Sequence, residues 1–145
     1  MPAELIEIIR LIAAAFLGGV IGLERQQRHK SAGLRTHILD CLGSCLVMLI
    51  SYKIYSEVQG LTNADPARLA AQVVSGIGFL GAGTIMKEGL TIKGLTTAAS
   101  LWVVAGVGLD VAAVARAQRS TGQSPRRAAP LAQQRGVQRL TRRAG

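Results

Sequence analysis

The groups able to do chemistry are few and far apart. The densest glycine cluster is SGIGFLGAG, Ser75 to Gly83, where Gly76, Gly78 and Gly81 have the GxGxxG spacing of a dinucleotide loop. That chemistry needs a strand before the glycines, a helix after them, and an acid about 20 residues further on. Here the flanks read as one continuous helix and the nearby acid is Glu88, so close helix packing is the better reading. Cys41 and Cys45 are four apart on a presumed helix, side by side rather than face to face, which suits buried free thiols and not a disulfide. His29 and His37 have no metal-ligand spacing with each other or with the cysteines. Asp40 and Asp65 are isolated carboxylates, and Mg²⁺ asks for several oxygen ligands in octahedral geometry. No Ser/His/Asp grouping exists. No catalytic residue, metal ligand or cofactor is expected, and the chain does not read as an enzyme.

The remaining polar groups of interest are Gln72, Thr96, Thr97 and Ser100, each set into an apolar run. In hydrocarbon such groups need hydrogen-bond partners, so they are expected to face other helices, as structural glue or as a polar pathway for an ion. Arg68 follows Asp65 by three residues, and Arg10 follows Glu7 by three, so each pair can meet across one helical turn.

These residues hang on four apolar segments: about 5–23, 36–54, 69–86 and 94–115. Each approaches the ~20 residues that cross a bilayer. The third and fourth are apolar or small all round, whereas helices of a soluble bundle keep a polar face. The fold expected is all-α, a polytopic membrane helix bundle of about four transmembrane helices. Asp65-Pro66 reads as an N-cap followed by proline at the first helical position. MKEGLTIKG reads as a short turn. Gly18/Gly22, Ala71/Ser75 and Gly78/Ala82 place small residues four apart, so close packing is expected there, with Gly78 and Gly81 at a helix–helix contact.

With 49% hydrophobic and 17% charged residues, the chain is neither disordered throughout nor a disulfide scaffold. Its net charge of +9 is unevenly placed. Residues 1–115 hold nine Lys/Arg against eight Asp/Glu, and residues 116–145 hold eight Arg and no acid. The division is therefore a 1–115 transmembrane domain and a 116–145 basic low-complexity tail, expected to be disordered. Loop 24–35 carries four Lys/Arg against Glu24, so it is expected in the cytoplasm with the N-terminus outside.

Three blocks together resemble the MgtC/SapB family of bacterial inner-membrane proteins: IGLER with AGLRTH, DPARLAAQVVSGIGFLGAG, and GLTTAASLW. The resemblance covers roughly residues 10–108. It carries family-motif positions onto Glu24, Arg25, Lys30, Gly33, Arg35, Thr36 and His37; onto Asp65, Pro66, Arg68, Gln72, Gly76, Gly78, Gly81 and Gly83; and onto Gly94, Thr96, Thr97, Ser100 and Trp102. Asp40 stands where the family is usually apolar, and no role is carried onto it. The resemblance implies a multi-pass protein of the bacterial cytoplasmic membrane, active in magnesium homeostasis at low magnesium and in intracellular survival and virulence. It implies regulation of other membrane proteins, the ATP synthase among them, or alternatively transport of Mg²⁺ or another cation. The expected partners are the lipid bilayer and other membrane proteins, with a homo-oligomer admitted and no nucleic acid. From about Asp110 the sequence departs from the family pattern. Its Arg/Ala/Gln/Pro composition is what a GC-rich gene gives out of frame, so a truncated or frameshifted product is expected.

Overall fold

The computed structural model describes residues 3–58, 65 and 67–122, with side chains from 4 to 114. Four helices and one hairpin follow in order: α1 (Ala3–Gln27), α2 (Leu34–Val58), α3 (Ala67–Thr84), β1 (Met86–Glu88), β2 (Thr91–Lys93) and α4 (Leu95–Gly122). The four apolar segments are thus four helices. The ends of α1 and α2 run further than hydropathy alone marks, whereas α3 stops at Thr84, short of the expected 86, because Met86 enters β1. α1 includes Glu24–Gln27, which reads from sequence as loop, because a 25-residue helix is ~38 Å long and outruns ~30 Å of hydrocarbon. Its last turn stands in water, where Glu24 pairs with Arg25 and Arg28.

The connection 28–33 is tight. Lys30 N–H donates to Arg25 O at 3.1 Å and His29 N–H to Gln26 O at 3.0 Å, while His29 has φ 51°. This is the paired closure of a helix end around one left-handed residue, a place usually taken by glycine. At the start of α2 the Gln26 side chain accepts from Leu34 N–H, 3.4 Å away, so α1 caps the helix that follows it.

α1 and α2 return antiparallel and very close. A Cβ on Gly18 would lie 2.6 Å from His37 O, and one on Gly22 2.7 Å from Leu34 Cα. The expected small-residue contact at this pair is present. α4 completes the core: Ala14, Cys41, Cys45, Met48, Val104 and Ala112 form one buried cluster. Both cysteines are free and buried.

The polarity of this core is inverted relative to a water-soluble bundle. α2 buries His37, Cys41, Ser44, Cys45, Met48 and Ser51 and turns Leu39, Leu46, Ile50 and Ile54 outward. α1 likewise exposes Ile8, Ile12, Phe16 and Val20. Inward polar groups hydrogen-bonded between helices and outward aliphatic ones are what a hydrocarbon solvent selects. Among the described residues, three helices are long and apolar enough to cross a membrane: Glu4–Gln27, Leu34–Val58 and Leu95–Val114. α3 has 18 residues, its first turns carry Arg68 and Gln72, and its glycines add little apolarity.

α3 leans on the rest through Ile77, which clusters with Leu101 and Ala105, and through Gly81, whose Cβ position is 3.4 Å from Ala98 Cβ. Gly78 does not share this contact. It is exposed, with nothing within 4 Å of its Cβ position, because it lies about 100° around the helix from Ile77 and points away from α2 and α4.

The segment read as a short turn is an antiparallel hairpin, with Met86 opposite Lys93, Lys87 opposite Ile92 and Glu88 opposite Thr91. Gly89, at φ 62°, opens its two-residue turn. The chain divides by contacts between Val114 and Ala115, and beyond that division α4 continues to Gly122. The helix therefore reaches seven residues into the segment assigned to the tail. The rest of that segment, 123–145, lies outside the described residues.

Candidate functional site

Four of the motif residues meet at one buried polar junction, where the end of the 28–33 connection and the start of α2 meet the first turns of α4. His37 is fully buried. Its Nδ1 is 2.9 Å from Gly33 O and its Nε2 is 3.1 Å from Ser100 Oγ. Ser100 Oγ is also 2.8 Å from Thr97 O. Thr97 is buried in turn, and Ser31 Oγ–H donates to its hydroxyl at 3.3 Å. A carbonyl only accepts, so Nδ1 carries a proton, while Nε2 faces the Ser100 hydroxyl, which itself donates to Thr97 O. Gly33, His37, Thr97 and Ser100 are thus brought together, and Ser31 joins them.

Gly94 places α4 against this junction. It has φ 88°, and its carbonyl accepts from Ala98 N–H at 2.9 Å as the first helical bond. A Cβ there would collide with the Thr84 carbonyl.

A second group lies at the far end of α2. Asp65, Arg68 and Gln72 line a cavity of about 370 Å³ with Ser51, Ile54, Tyr55 and Leu69. Asp65 Oδ1 accepts from Ala67 N–H at 2.9 Å, the expected helix cap. The expected Asp65–Arg68 pair is not among the ion pairs of the described residues, since the carboxylate is turned to the helix end. Pro66 lies outside the described residues.

Other motif positions stand apart. Glu24 and Arg25 form the ion pair at the end of α1. Lys30, Arg35, Thr36, Thr96 and Trp102 are exposed, as are Gln72, Gly76, Gly78 and Gly83. The rule that polar groups in apolar runs face other helices holds for Thr97 and Ser100. It fails for Thr96 and Gln72, which sit one position away from the buried face or near the end of a helix. Glu7 and Arg10 do not pair. The Arg10 guanidinium donates instead to Ala112 O on α4, at 3.4 Å.

Sequence reasoning missed Ser31, Ser44 and Ser51. The last two carry a signal: His37, Ser44 and Ser51 recur every seven residues, a polar stripe on one face of α2. Among the described residues, no three His, Cys, Asp or Glu side chains converge to hold a metal ion.

A family model, the MgtC family, matches residues 11–119. The chain belongs to the MgtC family. The match runs past residue 108, where the recognisable motifs stop, in keeping with the continuation of α4. The chain is 51% identical over 113 residues to "Putative magnesium transporter YhiD" of Escherichia coli (strain K12), covering 77% of this chain and 52% of that protein. It is 50% identical over 102 residues to "Protein MgtC" of Salmonella typhimurium (strain LT2), covering 70% of this chain and 41% of that protein. The chain thus spans about half the length of the curated relatives it matches. No solved structure matches it. With its apolar outward helices, this makes it a membrane protein of a magnesium-related family.

Proposed function

We propose that this chain is a multi-pass protein of the bacterial cytoplasmic membrane that serves adaptation to low magnesium, and survival inside host cells, by contacting other membrane proteins and not by catalysing a reaction. The ATP synthase is the partner we propose. The observation that carries the reading is 50% identity to Salmonella MgtC over 70% of this chain. The buried junction supports it: His37, Ser100 and Thr97 are bonded to one another and hold helices together, so the chemistry they carry is structural. The test is growth in low and in replete magnesium of a strain lacking its own MgtC-family protein, with and without this chain, followed by co-purification of ATP synthase subunits. Growth restored without any ATP synthase subunit recovered would remove that partner.

The printed name of the Escherichia coli relative favours a second reading, Mg²⁺ transport. Flux of Mg²⁺ into proteoliposomes holding only this chain separates the two. Saturable uptake above protein-free vesicles supports transport, and its absence supports the contact reading.

A further inference from the structure

We propose that the crevice between α2 and α3 binds a hydrophobic organic cation, with the Asp40 carboxylate as its counter-charge. The inference is independent of the partner contacts proposed above. Asp40 lies in a helix apolar enough to span the membrane. Its Oδ2 is buried and has no hydrogen-bond partner. The ion pairs among the described residues, Glu24 with Arg25 and Arg28 and Glu88 with Lys93, leave it out. A carboxyl placed this way either holds a proton or needs a positive charge beside it, and ionisable groups in membrane-spanning helices generally mark sites.

The space beside it defines what that something is. Asp40, Gly43, Val73, Gly76, Ile77 and Leu80 bound a cavity of about 400 Å³. This falls in the ~300–1,000 Å³ range of small-molecule sites, which are apolar clefts with a few placed polar groups. A hydrated Mg²⁺ does not suit it, because the walls are largely aliphatic and a divalent ion needs a shell of oxygens. An apolar body with one positive charge fits both the walls and the carboxylate. Leu39 and Leu80 at its edge are exposed, so the crevice opens on the lipid-facing side, the side from which a lipophilic molecule arrives. The gap exists because Gly43 and Gly76 project nothing into it. Neither has a heavy atom within 4 Å of its Cβ position.

Tetraphenylphosphonium and its isosteric anion tetraphenylborate are the probes. Binding of each to the purified full chain in uncharged detergent is measured by scintillation proximity, beside Asp40→Asn, Gly76→Leu and Gly43→Leu. The expected result is saturable binding of the cation, weaker by about tenfold or more in Asp40→Asn, as for loss of one charge-assisted contact. At both positions nothing lies within 4 Å of the Cβ position, so the two leucine variants should still unfold cooperatively, and they should lose the cation. Tetraphenylborate should bind the wild type far more weakly than the cation does, and should bind Asp40→Asn no less strongly than the wild type. Equal cation affinity in wild type and Asp40→Asn, equal affinity for the anion, retained binding in both folded leucine variants, or no saturable binding would each overturn the proposal.

Discussion

His37 Nε2 lies 3.1 Å from Ser100 Oγ, joining α2 to α4 between residues 63 positions apart. The Ser100 hydroxyl has one proton and two acceptors in reach, His37 Nε2 and Thr97 O at 2.8 Å. Nδ1–H donates to Gly33 O, and the Ser100 hydroxyl is the partner in reach of Nε2. Ser100→Ala leaves Nε2 buried without that partner, at a cost of ~1–3 kcal/mol. Ser100→Thr keeps the hydroxyl and should cost less. Thermal unfolding of both variants in detergent checks this, and equal melting temperatures for Ser100→Ala and wild type would remove the bond from the account of stability.

Glycines of the same spacing do different things in α1 and α3. Gly22→Leu must push a side chain into Leu34 and His37, so overpacking should cost ~1–3 kcal/mol or more. Gly78→Leu meets nothing within 4 Å and should leave the melting temperature of the isolated chain within a degree or two, an effect of under ~0.5 kcal/mol. A destabilised, monomeric Gly78→Leu would place Gly78 in a contact that the fold does not contain.

The contrast also marks what the sequence can tell. Helix existence is written in long apolar runs, and the start of α3 in Asp65-Pro66, because both are local. Gly18/Gly22 and Gly78/Ala82 are the same local pattern. Only the path of the chain decides that the first faces α2 and that Gly78 faces outward. The His37–Ser100 and Ser31–Thr97 bonds link residues more than 60 apart, so no spacing rule reaches them. The length of α1 escaped for another reason: hydropathy marks where hydrocarbon ends, and a capped helix can continue into water.

Two backbone positions should respond in opposite directions, one to gaining a glycine and the other to losing one. His29 holds φ 51°, a conformation that costs a side-chain-bearing residue ~1–2 kcal/mol. His29→Gly should therefore raise stability by up to ~1 kcal/mol, the added chain entropy of unfolded glycine offsetting part of the gain. Gly94 holds φ 88° against the Thr84 carbonyl, and Gly94→Ala should lower stability by more than ~1 kcal/mol. Chemical denaturation of the two variants beside the wild type gives both signs in one experiment.

Helix order and charge together predict an orientation that labelling can read. Thr97 bonds Ser31 at the beginning of α4, and Arg10 bonds Ala112 more than four turns further along it. The 28–33 connection and the 86–93 hairpin are therefore at one end of the bundle, and the N-terminal turns of α1 and residue 114 are at the other. The first end carries Arg25, Arg28, Lys30, Arg35, Lys87 and Lys93; the opposite end has Lys53 in the last turns of α2 and Arg68 in the first turn of α3. Lys/Arg collect on the cytoplasmic side, so the first end should be cytoplasmic and the N-terminus outside. The eight Arg of 116–145 pull the other way, because they follow a helix that runs toward the N-terminal end. Added C-terminal charge can turn a topology over, so the two sets compete. Cysteines placed singly at Gln27 and Leu90 should behave alike with an impermeant reagent in intact cells, both protected. Deleting Arg116–Gly145 should make that protection more complete. Labelling at Leu90 with protection at Gln27 would contradict the helix order itself, and labelling at both would show that the tail sets the orientation.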